Sequence, residues 1–308
     1  MRSLVDNRAE GYASPAYAES LADFGEPVFL PGCGGFLLRR RIPGTDEFDA
    51  MGCYPLFCCQ EWSRLGDDLA KLPADIVSVA LVADPFGDYT TGDLEAVFDC
   101  VVPYKEHFLV DLDRALEETG TKQHRKQALK ALRKMRIEVC PDPASFSGEW
   151  DRLYDHLRLR YDIRGIRSFS KRSFEAQLNM PGIVVLQAIQ EDRLVGAQLY
   201  FTQGDVVHCH LGAVSAEGYA TGAFYAMDYF SYEYFAGRGR WLDLGGGAGI
   251  HTSPQDGLSQ YKRRWSSMTR PVYFCGRILN HARYEQLARA LHPEETTYFP
   301  VYRAGEFS

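Results

Sequence analysis

The sequence predicts a mixed α/β (α+β) fold, and three observations carry that prediction. Beyond residue 149 the apolar residues recur in the order helix, helix, strand, strand, strand, helix, strand, loop, strand, which is an antiparallel meander followed by a helical crossover. A proline-marked stretch, IEVCPDPASF, precedes that order, and the pattern starts afresh behind it. The chain has 308 residues, enough for two average domains or one large one, with an ordinary 45% hydrophobic and 24% charged residues.

The elements follow in order. EPVFLPGCGGFLLRRRIP has two apolar runs around Pro31-Gly32-Cys33-Gly34-Gly35, the mark of a hairpin. GTDEFDAMGCYPLFC reads as a loop, and EWSRLGDDLAKL has apolar residues at helical spacing. DIVSVALVA and HFLVDL are strand-like, and residues 111–135 read as a helix, a break at Gly120 and a second, strongly basic helix. EWDRLYDHLRLRYD and SKRSFEAQL are helical. GIVVLQAIQ and RLVGAQLYFTQ are strands joined by a turn at Glu191-Asp192, with DVVHCHLGAV as a third. GAFYAMDYFSYEYFAGRG is a helix with a glycine stop, and WLDLGGG and PVYFCGRIL are the last strands.

Composition narrows the function classes. No window approaches the roughly 18 consecutive apolar residues of a membrane span, and the polar start MRSLVDNRAEGY has neither a signal-peptide nor a transit-peptide pattern, so a cytoplasmic location is expected. Eight cysteines without a CxxC pair or zinc-ligand rhythm predict reduced core residues. Net charge is -7, but residues 1–120 carry 9 Lys/Arg against 22 Asp/Glu, whereas the remainder carries 25 against 19. An acidic first part and a basic second part fit an anionic partner bound on one side, or a solvated surface of mixed charge.

Five stretches narrow the reading: DAMGCYPLF (49–57), HRKQALKALRKM (124–135), DRLVGAQLYF (192–201) with HLGAVSAEGY (210–219), LGGG (244–247) and DGLSQYKRRW (256–265). Together they resemble the Fem family of tRNA-dependent peptidyl transferases over nearly the whole chain. The last stretch fits an Asp-x-Leu-x-x-aromatic-Lys-x-x-aromatic pattern through Asp256, Leu258, Tyr261, Lys262 and Trp265, with Tyr where Phe is commoner. The resemblance implies two GNAT-like lobes, each a largely antiparallel sheet flanked by helices, with a cleft between them. It gives residues 1–145 to an acceptor-side lobe, 146–280 to a donor-side lobe, and 281–308 to a tail packing back on the first.

The implied activity is transfer of an amino acid from aminoacyl-tRNA to the amine of a small peptide-like or nucleotide-linked acceptor, in cell-wall or peptide-antibiotic synthesis, by a monomer without metal or cofactor. Acyl-CoA-dependent N-acylation is the alternative. A CoA diphosphate sits on a glycine-rich loop at a helix N-terminus, where free backbone N–H groups meet the anion. Tyr219-Ala220-Thr221-Gly222-Ala223-Phe224 occupies that place, with aromatics at positions that need small or polar residues. No long charged segment corresponds to the helical-hairpin arm of several Fem enzymes.

The resemblance implies that Lys262 meets the 3′ end of charged tRNA and that the chain beside Tyr261 stabilises the oxyanion; a solvated basic turn is the other reading. Lysine suits phosphate as a compact charge, and Arg263 and Arg264 add forked contacts. Residues 122–136 hold seven Lys/Arg, among them Arg125, Lys126 and Lys130, around a stripe of Leu129, Leu132 and Met135: a solvated face, or a contact with RNA phosphates. Tyr54 lies in an apolar loop that either tucks into the core or, as the resemblance implies, borders the acceptor pocket, making Tyr54 a candidate substrate contact. His208 and His210 alternate on a strand without a third metal ligand, and His210 is a core residue or a polar substrate contact. Asp111 and Asp256 are further candidate substrate contacts. Gly245-Gly246-Gly247 lacks the spacing of a nucleotide loop and reads as a strand end approached closely by other chain. No GxSxG elbow exists.

Overall fold

The computed structural model describes residues 9–161, 163, 168–248, 256–291 and 296–306. The polar loop of residues 249–255 lies outside them. The chain forms two compact units: Met1–Tyr104 with Gly165–Ser173 and Pro271–Ser308, and Lys105–Arg164 with Phe174–Arg270.

In the first unit β1 (Glu26–Leu30) and β2 (Gly35–Arg41) form the expected hairpin, Leu30 opposite Gly35. β3 (Phe48–Gly52) lies within the stretch read as a loop; it pairs antiparallel with β2 and parallel with β4 (Ile76–Val82). β11 (Met268–Ile278) pairs antiparallel with β4. The helices are α1 (Pro15–Ser20), α2 (Leu65–Leu69), α3 (Thr91–Val97) and α10 (His281–Leu291). Leu30, Leu37, Phe57, Trp62, Val79 and Leu81 make the main core, and Tyr284, Leu287 and Tyr302 close a second cluster on Ile42 and Val77. Buried Arg303 binds the Asp49 carboxylate and donates to the Arg41 carbonyl at 2.9 Å, tying the last residues to β2 and β3.

In the second unit the strand order is β5-β10-β9-β8-β7-β6. These are β5 (Cys100–Asp111), β6 (Arg136–Val139), β7 (Val184–Gln190), β8 (Arg193–Gln203), β9 (Val206–Val214) and β10 (Trp241–Asp243). All neighbours are antiparallel except β9 and β10, where the crossover helix makes a parallel pair possible. Glu191 and Asp192 both have positive φ, the two-residue hairpin geometry that matches strand twist. The helices are α4 (Lys122–Leu132), α5 (Ser147–Tyr161), α6 (Lys171–Leu178, in this unit from Phe174 onward), α7 (Ala216–Thr221), α8 (Ala223–Phe235) and α9 (Gly257–Arg263). Each unit is thus a mixed, largely antiparallel sheet flanked by helices, as the sequence predicts.

Several local expectations are corrected. Residues 105–145 belong with the second unit and 271–280 with the first, because β6 pairs in register with β7 across the proline boundary, and β11 pairs with β4. The stretch DLDRALEETG forms only one turn, Leu116–Glu118, because β5 runs on to Asp111, opposite Trp241. The buried face of α4 is His124, Ala128 and Ala131, followed by Met135 beyond the helix end, and Leu129 is 49% exposed. Alanines win that face because it packs on α8, where small side chains permit close approach.

Candidate active site

α9 carries the Tyr261-Lys262 pair. Asp256 is its N-cap, Oδ1 accepting from the Ser259 backbone N–H at 2.9 Å. Asp256 therefore positions the helix. Asp256→Ala is expected to cost about 1 kcal/mol, and Asp256→Asn, which keeps the cap, a few tenths at most; chemical denaturation of both variants checks this, and equal losses would point to the charge instead.

The glycine run follows β10. Lys262 Nζ donates to the Gly246 carbonyl at 2.7 Å, and Lys105 Nζ to the Gly247 carbonyl at 3.0 Å. Gly245 has φ +75, a Cβ on Gly246 would lie 2.9 Å from Lys105 Cδ, and one on Gly247 would lie 2.2 Å from Ser259 Oγ. The run is glycine because side chains of β5 and α9 press onto its backbone, which gives the expected close approach a specific form.

Asp243, the last residue of β10, organises this turn. Oδ1 accepts from the Gly245 N–H at 2.7 Å, while Oδ2 faces His107 Nδ1 at 2.8 Å and His208 Nδ1 at 3.1 Å. Burial pushes its carboxyl up, but the two imidazoles outweigh that and hold it well below the ordinary range. A register shift separates His208 from His210: Leu199 pairs with Leu211 and Tyr200 with Cys209, leaving His210 as the extra residue of a bulge. His210 Nε2 lies 3.2 Å from Gln177 Oε1, and burial, with His208 second, lowers its pKa to about 3, so it is neutral at physiological pH.

Behind Tyr261 lies a second buried carboxylate. The Tyr261 hydroxyl donates to Asp228 Oδ2, Gln198 Nε2 donates to Oδ1 at 2.7 Å, and the Tyr200 hydroxyl donates to Gln198 Oε1 at 2.9 Å. Burial raises the Asp228 carboxyl to about 6, opposed by these two donors and by Lys262. Burial also lowers the half-buried Lys262 ammonium, against the pull of Asp243, Asp228 and Asp256. The Tyr261 ring packs near His124 and Tyr225, at centroid distances of 5.2 and 5.1 Å. Burial and Arg264 take His124 down to about 4.

Other predicted residues are placed differently. Asp111 accepts from Arg240 at 3.1 Å, and its Oδ1 closes a turn to the Asp113 N–H at 3.1 Å. Arg125 spends its guanidinium on the Thr119 and Gly120 carbonyls at 3.0 and 2.8 Å, and Arg263 pairs with Glu106 at 3.2 Å. Lys126, Lys130 and Arg264 are exposed and make no ion pair among the described residues. Tyr54, in the first unit, is half-buried against Phe169, centroids 5.9 Å apart, and its carbonyl accepts from the Tyr17 hydroxyl; Leu56 and Phe57 of the same loop are core. Among the described residues no group of three or more His, Cys, Asp or Glu is arranged to hold a metal, all eight cysteines are free thiols, and no helix is long and apolar enough to cross a membrane.

Asp243, His107, Asp228, Gln198 and Lys105 were not singled out from the sequence. Asp228 is one of two acids, with Glu233, in a largely apolar and aromatic helical run, and its partners on β8 and α9 have no sequence signature. The Tyr219–Phe224 stretch holds no open loop. α7 fills it, the Gly222 N–H closing that helix on the Gly218 carbonyl at 3.0 Å, and α8 starts at the next residue.

No family model and no curated protein matches the sequence. Solved structures do match. FemX superposes with a TM-score of 0.68 at 14% identity, over 92% of this chain and 96% of that one. The C-terminal domain (DUF2156) of a putative lysylphosphatidylglycerol synthetase from Agrobacterium fabrum gives 0.65 at 14% identity, covering 91% and 90%. L-PGS from Bacillus licheniformis gives 0.58 at 11%, covering 90% and 95%. At these identities the likeness is one of fold, and it covers about nine-tenths of this chain.

Proposed function

We propose that the protein is an aminoacyl-tRNA-dependent aminoacyltransferase that forms an amide between the carried amino acid and the amine of a peptide-like or nucleotide-linked acceptor, such as a cell-wall precursor or a peptide-antibiotic intermediate. The observation that carries this reading joins the candidate site to a basic surface. The Thr121 N–H at the start of α4 donates to the Arg264 carbonyl at the end of α9, 2.7 Å away. Lys122, Lys126, Lys130, Arg133, Lys134 and Arg264 are all exposed there and form no ion pair among the described residues. In a chain of net charge -7, a locally unneutralised basic face beside a fixed lysine suits the phosphates of an acceptor stem.

The chemistry needs no resident cofactor, because the ester is already activated. The acceptor amine attacks the ester carbonyl, the oxyanion develops near the Lys262 ammonium, and the ribose hydroxyl leaves. Lys262, anchored on Gly246 and flanked by carboxylates, supplies a charge oriented in advance, so catalysis comes chiefly from electrostatics and positioning. The α7–α8 junction favours this donor over acyl-CoA. The Gly222 N–H is already spent on α7, and Phe224 packs so tightly on Gly212 that a Cβ there would lie 2.8 Å from its ring.

Binding of charged tRNA measured against salt tests the reading. Tight binding with a steep negative slope of log affinity against log salt is expected, and the triple variant Lys126→Gln, Lys130→Gln, Arg264→Gln should flatten it by about 1 for each phosphate no longer neutralised. A slope unchanged in the variant would remove α4 from the tRNA surface, and no binding by the wild type would remove the donor.

A further inference from the structure

We infer that Tyr261 and Asp228 form a proton relay at this site, the tyrosine hydroxyl meeting the reacting amine and the aspartate holding the proton behind it. The inference rests on the transferase reading above and supplies the proton acceptor that reading lacks.

The ring of Tyr261 packs against His124 and Tyr225, a role that phenylalanine would fill equally well. What tyrosine adds is a hydroxyl, and that hydroxyl donates to Asp228. Asp228 in turn sits among Ala226, Met227 and Phe235 on the buried side of α8, where an unpaired carboxylate costs several kcal/mol. The fold retains it there with both oxygens engaged, by Gln198 and by Tyr261, and orients Gln198 with a further hydroxyl from Tyr200. Such a carboxylate, buried beside the fixed lysine and bonded to a tyrosine hydroxyl, is the kind of group that proton transfer uses. The titratable groups facing Asp228 are Tyr261 and Lys262 from α9, Tyr232 from α8, Tyr200 from β8 and Cys209 from β9. Of these Lys262 alone opposes the effect of burial by its charge, and the carboxyl settles at about 6, where it accepts a proton at neutral pH and returns it readily.

The step balances. As the amine nitrogen bonds to the ester carbon, the carbonyl electron pair moves to oxygen and the nitrogen sheds a proton to the Tyr261 oxygen, whose own proton passes to Asp228 Oδ2. When the tetrahedral species collapses, the bond to the ribose oxygen breaks, that oxygen takes a proton from Tyr261, and Asp228 returns one to Tyr261. One C–N bond forms, one C–O bond breaks, one proton moves from nitrogen to oxygen, and both side chains are restored.

The test uses full-length wild type, Tyr261→Phe and Asp228→Asn, with charged tRNA as donor and a dipeptide mixture as acceptor. Tyr261→Phe, which keeps the ring packing and leaves Asp228 bonded to Gln198, should lower kcat about 100-fold with little change in KM for tRNA, with its folding checked by urea unfolding. The wild-type rate should rise with pH through about 6, and the residual rate of Asp228→Asn should lack that limb. Tyr261→Phe within twofold of wild type, or an unchanged limb in Asp228→Asn, would overturn the relay. Transfer from acetyl-CoA but not from charged tRNA would overturn the donor reading instead, and the same variants assayed with acetyl-CoA would still decide the relay. A wild type inactive with both donors would overturn both.

Discussion

Lys262→Met is expected to lower single-turnover transfer by 100-fold or more, about the loss seen when one positioned donor to a developing oxyanion is removed. The ammonium is half-buried, 2.7 Å from the Gly246 carbonyl, and faces Asp243, Asp228 and Asp256. Methionine fills much the same volume but leaves three carboxylates without their shared cation and the oxyanion without its counter-charge. Lys262→Arg should not restore the rate. Nζ already lies 3.4 Å from where a Cβ on Gly245 would be, so a planar guanidinium has no room to approach the same carbonyl. Because the lysine acts on charge that develops in the reaction, the loss should fall on kcat, with affinity for charged tRNA within a few-fold of wild type. A variant with normal kcat and weakened tRNA binding would make Lys262 a phosphate contact only.

Trp265→Ala is expected to destabilise the fold strongly, costing about 3–5 kcal/mol as large-to-small core replacements do. Trp265 is fully buried and packs against His124 and Tyr232, with centroids 5.3 Å away in both cases. The Tyr232 hydroxyl donates to its carbonyl at 3.4 Å, and Gly120 approaches so closely that a Cβ there would lie 2.7 Å from the indole. The indole therefore joins α9 to α4 and α8, and its loss should free the Tyr261-Lys262 pair from both. Urea unfolding checks this, and a loss below about 1 kcal/mol would show that the junction is held by backbone bonds instead.

Where local pattern and partner coincide in sequence, the fold was readable. β7, β8 and β9 follow from alternating apolar residues and the Glu191-Asp192 turn, and each pairs with its neighbour in the chain. The Tyr261-Lys262 pair was readable as a motif, and the glycine run as a structural element. Asp243 was not, because its carboxylate is organised by His107 on β5 and His208 on β9, and nothing local says that β10 lies between those strands. Asp228 and Gln198 were missed for the same reason. The α4 stripe went astray on size: Leu129 is the more hydrophobic residue, but Ala128 and Ala131 face α8 because α8 comes too close for leucine. Of the basic residues assigned to tRNA, the sequence had no means of separating Arg125, which closes the turn before α4, from Lys126 and Lys130, which remain solvated.

The central claim is that the donor is an aminoacyl ester of tRNA. Purified protein given tRNA charged with labelled amino acids, and separately labelled acetyl-CoA, with dipeptides as acceptors, tests it most directly. The account predicts label in a new amide from charged tRNA only, abolished by prior RNase treatment. Transfer from acetyl-CoA that survives RNase, with none from charged tRNA, would contradict it.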